Sequence, residues 1–298
     1  MKRRTFIQTT AGLSVTALAA QLARPLLAMP KQSKYLDSIG LQLWTVRKQM
    51  EKDSKKTLKA VADAGYKQVE LMDVSKGIEI TQQAKAVGLD VKSGFINWQS
   101  VCKPDAEDAP SIDDIIATGK KMGLEHLVFG YIGKGSRETV ELMKANAKSA
   151  NEFGKKAIDA GMQVCYHNHS FEFEKIDGDT TGFDVLMEEF DNDLVKFELD
   201  VFWAKLGGWD PIETMKKLGD RITQVHLKDP KEGTAVIYDE GKVPAEAFQE
   251  CGDGSIDMGE VMKLAGEIGA VYCHVEQDQS PDPIASIGQS IDYLKGLK

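Results

Sequence analysis

Short apolar segments alternate with helix-like segments along the chain from about Tyr35 onward. Eight apolar segments have the length and composition of buried strands, and they fall at 39–44, 68–72, 91–96, 126–132, 163–167, 195–202, 222–227 and 270–275. Between them, apolar residues recur every three or four positions, which is the period of an amphipathic helix. The pattern predicts helices near 53–64, 82–87, 113–122, 138–160, 182–190, 210–218, 258–268 and 284–297.

A glycine precedes many of the predicted strands, as in AGYKQVEL, VGLDVKSG and IGAVYCHV. Glycine at this place ends a helix, because it adopts the left-handed backbone conformation easily. The repeated module of helix, glycine and strand predicts a single-domain (β/α)8 TIM barrel over residues 35–298. An open doubly wound sheet is the main alternative, but it has fewer strands for this length, and no glycine-rich phosphate loop follows the first strand.

Composition is that of a soluble globular protein, with 42% hydrophobic and 28% charged residues among 298. The net charge of −9 argues against a nucleic-acid partner, which requires a basic surface. The cysteines form no CxxC pair and are predicted to be reduced packing residues: Cys102, Cys165, Cys251 and Cys273.

The first residues differ from the rest of the chain. A basic start with Arg3 and Arg4 precedes the short apolar stretch AGLSVTALAAQLA. This pattern is typical of an export signal, and RRTFIQ is similar to the twin-arginine type. We expect residues 1–30 to direct the protein to the periplasm or outside the cell, with membrane contact only if this segment is left uncleaved.

Coordinating side chains follow four successive predicted strands. The fifth strand ends in YHNH, so His167 and His169 are two residues apart and project from the same side. The carboxyl ends of barrel strands surround one mouth. The later strands end near Asp200, His226 and Glu276. One divalent ion of the Mn, Co or Zn type is therefore predicted, with these ligands: His167, Asp200, His226 and Glu276.

Other polar residues are predicted to face the same mouth. Glu70 ends the second strand and is a candidate acid, and Lys228 is a candidate for holding a substrate oxygen or a developing negative charge. A buried ion pair for Glu70 and a solvent-exposed position for Lys228 are equally open. The candidate substrate contacts are Gln42, Trp44 and Asn168.

Three further polar residues are predicted to lie deeper in the barrel or away from the substrate. Glu198 lies two residues before Asp200, so both side chains point to the same side of the strand. Glu198 either orients a metal ligand from deeper in the barrel or is simply a polar interior residue. His274 lies deeper than Glu276 and is expected to be structural. His126 begins the fourth strand, at the closed end, and is excluded from the site.

These motifs resemble the sugar phosphate isomerase/epimerase superfamily, which includes xylose isomerase, tagatose epimerase and inosose dehydratase. The matching segments are QLW, YKQVEL, YHNHSFEF, ELDVFWA, VHLKD, CGDGSIDMGEV and HVEQDQSPDP. The resemblance implies a metal-dependent (β/α)8 barrel acting on sugars, sugar ketones or cyclitols. It also implies that the metal positions of the superfamily fall on the four candidate ligands.

One departure from the superfamily matters for the reaction. Many members have glutamate where this chain has His167, and in the related epimerases two glutamates act as acid and base on opposite faces of the substrate. Only Glu276 of that pair is present here. The HxH pattern is more similar to the inosose dehydratase branch and to exported barrels acting on 3-keto-glycosides.

We therefore expect a lyase, dehydratase or hydratase that acts on a keto sugar or keto-cyclitol. Glu276 or His169 would remove a proton next to a metal-bound ketone, and His169 or Glu70 would assist the leaving group. A ketose epimerase or isomerase is the second interpretation, and a sugar-binding barrel without catalysis is the third. A nuclease is disfavoured, because the chain is acidic and has only 5 histidines.

Overall fold

Eight parallel strands close into a barrel in the computed structural model, which describes residues 38–297. Each strand pairs with the next one along the chain, and β8 returns to pair with β1. The predicted (β/α)8 fold is confirmed. The barrel strands are β1 (Gly40–Gln42), β2 (Gln68–Leu71), β3 (Asp90–Phe95), β4 (His126–Phe129), β5 (Gln163–His167), β6 (Val195–Asp200), β7 (Ile222–Leu227) and β8 (Tyr272–Val275).

Helices surround the barrel in the order expected of repeated strand–helix units. Several begin at a side-chain cap, such as Asp53 before α2 and Ser111 before α5. The helices are α1 (Arg47–Lys52), α2 (Ser54–Ala64), α3 (Gly77–Ala86), α4 (Gln99–Cys102), α5 (Ile112–Met122), α6 (Val140–Asp159), α7 (Gly182–Glu189), α8 (Val201–Leu206), α9 (Pro211–Leu218), α10 (Met258–Ile268) and α11 (Pro283–Gly296).

The predicted helix-ending glycines are confirmed. Gly65 follows α2 with φ of 105°, and Gly269 follows α10 with φ of 86°. Both are in the left-handed region, where a side chain would be strained. Each glycine turns the chain back toward the start of the next strand, so the repeat in the sequence matches the repeat in the fold.

Alternation along the strands separates an apolar layer from a polar one. Leu127, Val164 and Val225 are fully buried in the hydrophobic core. The alternate position in β7 carries His226, which is also fully buried. Much of the barrel interior is therefore polar near its mouth, and buried polar groups of this kind need partners or ligands.

Three predicted strands extend too far at their carboxyl ends. β4 stops at Phe129, so the prediction of a strand up to residue 132 is too long. Side-chain caps explain the other two. β1 stops at Gln42, whose side chain accepts a hydrogen bond from the Trp44 N–H and starts the 3₁₀ helix Leu43–Val46. Trp44 is therefore beyond the strand. β6 stops at Asp200, which caps α8, so the prediction of a strand up to residue 202 is too long.

The predicted export segment, residues 1–30, lies outside the described residues. Within residues 38–297, none of the helices combines the length and the apolar character needed to cross a bilayer. All four cysteines are free. The predicted loop 229–254 is mostly irregular, with a small antiparallel ribbon of Asp229–Pro230 and Phe248–Gln249.

Candidate active site

One donor atom from each of the four predicted ligands meets at the carboxyl-terminal mouth of the barrel. Nε2 of His167 lies 3.2 Å from Nδ1 of His226 and 3.5 Å from Oδ2 of Asp200. Nδ1 of His226 lies 3.9 Å from Oδ2 of Asp200 and 3.3 Å from Oε2 of Glu276. All four donors lie within 4.8 Å of one another. Ligands bonded to one ion at about 2.1 Å lie roughly 3–4.2 Å apart, so this spacing suits a common ion.

Asp200 is fixed so that one carboxylate oxygen faces this cluster. Its Oδ1 accepts a hydrogen bond of 2.9 Å from the Trp203 N–H and thereby caps α8. Its Oδ2 is buried and has no hydrogen-bond partner among the described residues. A buried carboxylate oxygen without a donor is unfavourable on its own, and a metal ion at the cluster would satisfy it.

Asn168 supports Asp200 and does not line the cavity, which contradicts the prediction that it contacts substrate. Its amide accepts a hydrogen bond of 3.0 Å from the Asp200 N–H and donates one of 3.2 Å to the Asp200 carbonyl. The side chain is fully buried. Asn168 therefore joins the ends of β5 and β6 and sets the height of Asp200 above the barrel.

His226 stands between the mouth and a deeper pair of carboxylates. Its Nε2 lies 2.8 Å from Oε2 of Glu70 and 3.0 Å from Oε1 of Glu198. A proton on Nε2 points at these carboxylates, so the lone pair of Nδ1 faces the cluster and can bind a metal ion. This arrangement is common behind metal-binding histidines. Burial opposes a charge on His226, but Glu198 and the other nearby carboxylates raise its pKa well above the ordinary value. The same negative charge would favour a cation at Nδ1.

Glu70 lies beneath His226, so the prediction that it donates a proton at the mouth is wrong. It is fully buried and accepts hydrogen bonds from Gln42 at 2.8 Å and Ser93 at 2.5 Å. Burial alone would raise the pKa of Glu70, but His274 and His226 lower it to about 2. A group that stays ionised in this position orients His226 and does not reach the substrate.

His169 forms part of the cavity wall as a neutral imidazole. Burial lowers its pKa well below the ordinary value, and His167 and Lys228 lower it further. Its ring stacks on Phe171 at a centroid distance of 5.5 Å. The backbone N–H of His169 donates to Oε2 of Glu172 at 2.9 Å, which fixes the chain beyond β5.

Lys228 is buried at the mouth, not exposed at the rim. Its Nζ lies 3.1 Å from Oε2 of Glu276 and 2.8 Å from Oδ2 of Asp278. It also lies 4.7 Å from the ring centroid of Trp203. Sequence reasoning missed Asp278, although it follows Glu276 by two residues. The parity that identified His167 and His169 would have found it.

A cavity of about 240 Å³ opens above the cluster. This volume is below the roughly 300–1,000 Å³ of pockets for drug-sized ligands, and it suits one sugar ring. Trp44 is 47% exposed at its edge, whereas the amide of Gln42 is bonded to Glu70. The lining residues are Gln42, Trp44, Met72, Phe95, Gly130, Tyr131, His167, His169, Trp203, Lys228, Glu276 and Asp278.

A larger cavity of about 650 Å³ lies among loop residues that include Arg137 and Val236. It contains none of the clustered donors, so we place the candidate chemistry in the smaller cavity. The carboxylates of Asp200 and Glu276 are buried beside Lys228, and Glu70 is buried beneath His226. Unpaired buried charges are costly, so the imidazoles and excess carboxylates fit a divalent cation.

Glu172 gives the fold a pH dependence that can be measured. Burial raises the pKa of Glu172 to about 7, from an ordinary value of 4.5. Between these values the folded chain holds a proton that the unfolded chain has lost, so stability falls as pH rises. We expect wild type to lose up to about 3 kcal/mol relative to Glu172→Gln between pH 4.5 and pH 8. Urea unfolding of both proteins at several pH values measures the difference.

The matched control for this measurement is Glu174→Gln, which changes an exposed glutamate on the same segment. Its free energy of unfolding should stay parallel to that of wild type across the range. If the free energies of unfolding of wild type and Glu172→Gln differ by the same amount at every pH, the raised pKa of Glu172 is contradicted.

Comparison with known proteins agrees with this architecture. An inosose dehydratase of Clostridium botulinum is 33% identical over 158 residues, which are 50% of this chain and 51% of the relative. An inosose dehydratase of Clostridium tetani is 35% identical over 149 residues, 47% of this chain and 49% of the relative. The chain thus spans about half the length of the curated relatives it matches.

The structural comparison covers more of the chain. A sugar phosphate isomerase/epimerase from Parabacteroides distasonis superposes with a TM-score of 0.70 at 22% identity, over 87% of this chain and 93% of the other. At that identity the match shows the fold. The model of the xylose isomerase-like TIM barrel family matches residues 58–297. The chain therefore belongs to the xylose isomerase-like TIM barrel family, together with sugar-processing enzymes.

Proposed function

We propose that this protein is a metal-dependent lyase, a dehydratase or hydratase, that acts on a keto sugar or keto-cyclitol. The observation that carries the proposal is the meeting of His167, Asp200, His226 and Glu276 below a cavity of about 240 Å³. A divalent ion bound there would polarise a ketone oxygen and acidify the neighbouring C–H.

Glu276 is the base that fits this reaction best. It is the one carboxylate that belongs to the donor cluster and also lines the cavity. Burial opposes its ionisation, but Lys228 and His226 lower the pKa of Glu276 well below the ordinary value. It therefore faces the substrate as a carboxylate that is able to accept a proton.

The remaining steps fall to other cavity residues. Removal of the proton leaves negative charge on the substrate, and Lys228 is held beside Glu276 to stabilise it. A carbon–carbon double bond then forms as the neighbouring C–O bond breaks. The departing oxygen takes up a proton, and Asp278 is positioned to donate it, because it lines the same cavity and burial raises its pKa to about 6. His169 lines this cavity as a neutral imidazole and can hold the departing oxygen by a hydrogen bond.

Two features favour elimination over two-base epimerisation. The position of His167 carries an imidazole, so one carboxylate, Glu276, remains at the donor cluster within the cavity wall. The curated relatives at 33% and 35% identity are dehydratases of inosose, a keto-cyclitol. Export by a twin-arginine-type segment at residues 1–30 would favour an unphosphorylated glycoside-derived ketone as substrate.

Incubation with a 3-keto-glycoside or an inosose in deuterated water tests the reaction. We expect release of the aglycone or of water when a divalent metal is present, and loss of this activity after chelation. Mass spectrometry and NMR follow the product and the isotope. The Glu276→Gln variant should neither release the leaving group nor exchange the proton.

Two results would contradict the proposal. Incorporation of deuterium with an intact carbon skeleton and no elimination would indicate the epimerase alternative. Saturable binding of the sugar with neither exchange nor elimination would indicate a binding barrel.

A further inference from the structure

A second group of donors lies deeper in the barrel, below the candidate metal site. One atom from each member lies within 4.8 Å of the others, and every member is fully buried. His226 belongs to both groups, with Nδ1 toward the mouth and Nε2 toward the interior. The members of the deep group are Glu70, Glu198, His226 and His274.

Several atoms of this deep group make no hydrogen bond among the described residues, although Oε1 of Glu198 lies 3.0 Å from Nε2 of His226. Both ring nitrogens of His274 lack a hydrogen bond, as do Oε1 of Glu198 and Oε1 of the adjacent Gln224. Nδ1 of His274 lies 4.0 Å from Oε1 of Glu70, which is too long for a hydrogen bond. Buried polar groups without hydrogen bonds are unfavourable. A cation among them would satisfy the carboxylate and the imidazole together.

The geometry points to a second divalent cation bound by this deep group, and we propose that His226 bridges the two ions through its two nitrogens. The deep ion would take the place of the Nε2 proton that otherwise faces Glu70 and Glu198, and this proton would be released to solvent. The nearest deep donors to Nε2 are Oε2 of Glu70 at 2.8 Å and Oε1 of Glu198 at 3.0 Å. The separation of 3.0 Å is that of adjacent ligands on one ion, and the separation of 2.8 Å is slightly shorter. The mixture of imidazole and carboxylate favours a Zn, Co or Cu type of ion.

The stagger of the strands explains why one histidine can serve both groups. His226 is the register partner of Asp200 on one side and of His274 on the other. Asp200 belongs to the upper group and His274 to the lower one. Every member of the deep group is fully buried, so we expect the deep ion to exchange more slowly than the upper one.

Metal content per chain tests the proposal without any assay of activity. The full chain is produced with added Zn²⁺, freed of loosely bound metal, and analysed by inductively coupled plasma mass spectrometry. We expect two ions per chain in wild type and one in His274→Gln. His126→Gln is the matched control, because His126 is another buried barrel histidine with an unpartnered nitrogen but lies outside both donor groups. This control should keep two ions.

Asp200→Asn separates the two sites, since it removes an upper ligand only. It should therefore keep one ion per chain, the deep one, whether or not the proposed reaction takes place. One ion per chain in both wild type and His274→Gln would overturn the inference, as would two ions in both.

If His274→Gln does not fold, wild type alone decides, because copper-loaded protein should show the exchange-coupled electron paramagnetic resonance spectrum of an imidazolate-bridged pair. An uncoupled single-site spectrum would overturn the inference.

Discussion

Replacing Asp200 by asparagine should abolish metal binding at the mouth and lower kcat/KM by about three orders of magnitude or more. A loss of this size corresponds to roughly 4 kcal/mol of transition-state stabilisation. The substitution is selective, because the amide oxygen can still accept the hydrogen bond from the Trp203 N–H. What changes is Oδ2, the unpartnered oxygen 3.5 Å from Nε2 of His167.

The chain offers a closely matched control. Asp210 also caps a helix, accepting a hydrogen bond from the Glu213 N–H, but it lies outside the donor clusters. Asp210→Asn makes the same chemical change at the same kind of helix position and should keep metal content and kcat/KM close to wild type. Metal analysis and steady-state kinetics of both variants give the answer. An Asp200→Asn protein with full metal content and activity would refute the role of this carboxylate.

Replacing Lys228 by methionine should be the most destabilising single change at the mouth. Methionine keeps most of the length and the contact with Trp203 but removes the charge. It leaves the buried Glu276 and the half-buried Asp278 without the ammonium group, which lies 3.1 Å and 2.8 Å from them. Breaking a buried ion pair in this way costs about 3–5 kcal/mol. We also expect kcat to fall by about 100-fold, since the substrate loses a positive group at its developing charge.

Lys217→Met controls for the loss of a lysine near a tryptophan and an aspartate. Lys217 lies 4.6 Å from the ring centroid of Trp209 and 3.5 Å from Asp184, but its side chain is 53% exposed. Exposed pairs contribute about 1 kcal/mol or less. Urea unfolding should therefore show a large loss for Lys228→Met and a small one for Lys217→Met. Equal losses in the two variants would contradict the account of Lys228.

The barrel and its donor cluster were predictable because both follow from simple periodicities. Glycines such as Gly65 and Gly269 mark where helices end, and apolar runs mark the strands. Parallel strands in a barrel must end at a common mouth. Coordinating residues at successive strand ends, such as Asp200 and His226, were therefore expected to meet, and their donor atoms lie within 4.8 Å of each other.

Depth within the barrel was not predictable from parity alone. The strands are staggered, so residues of equal parity on adjacent strands differ in height. His167 pairs with Glu198, whereas Asp200 pairs with His226. Glu70 pairs with Gln42 and lies below the mouth. A reading of single strands places Glu70 at the substrate, but the stagger of the closed sheet places it beneath His226.

Side-chain partners also depend on contacts between distant segments. Asn168 was expected at the substrate because it lies between two histidines, yet its amide is bonded to both backbone groups of Asp200. Asp278 was missed because it lies beyond the last strand, where it meets Lys228 from β7's end. The Asn168 contact has no local signal in the sequence, whereas Asp278 could have been found from its spacing of two residues after Glu276.

The most direct test of the central claim is anomalous X-ray diffraction from crystals of the full chain grown with cobalt. The account predicts a strong anomalous peak at the mouth, within about 2.0–2.3 Å of the four donor atoms. These belong to His167, Asp200, His226 and Glu276. Crystals that diffract well but show no anomalous peak among these four side chains would contradict it.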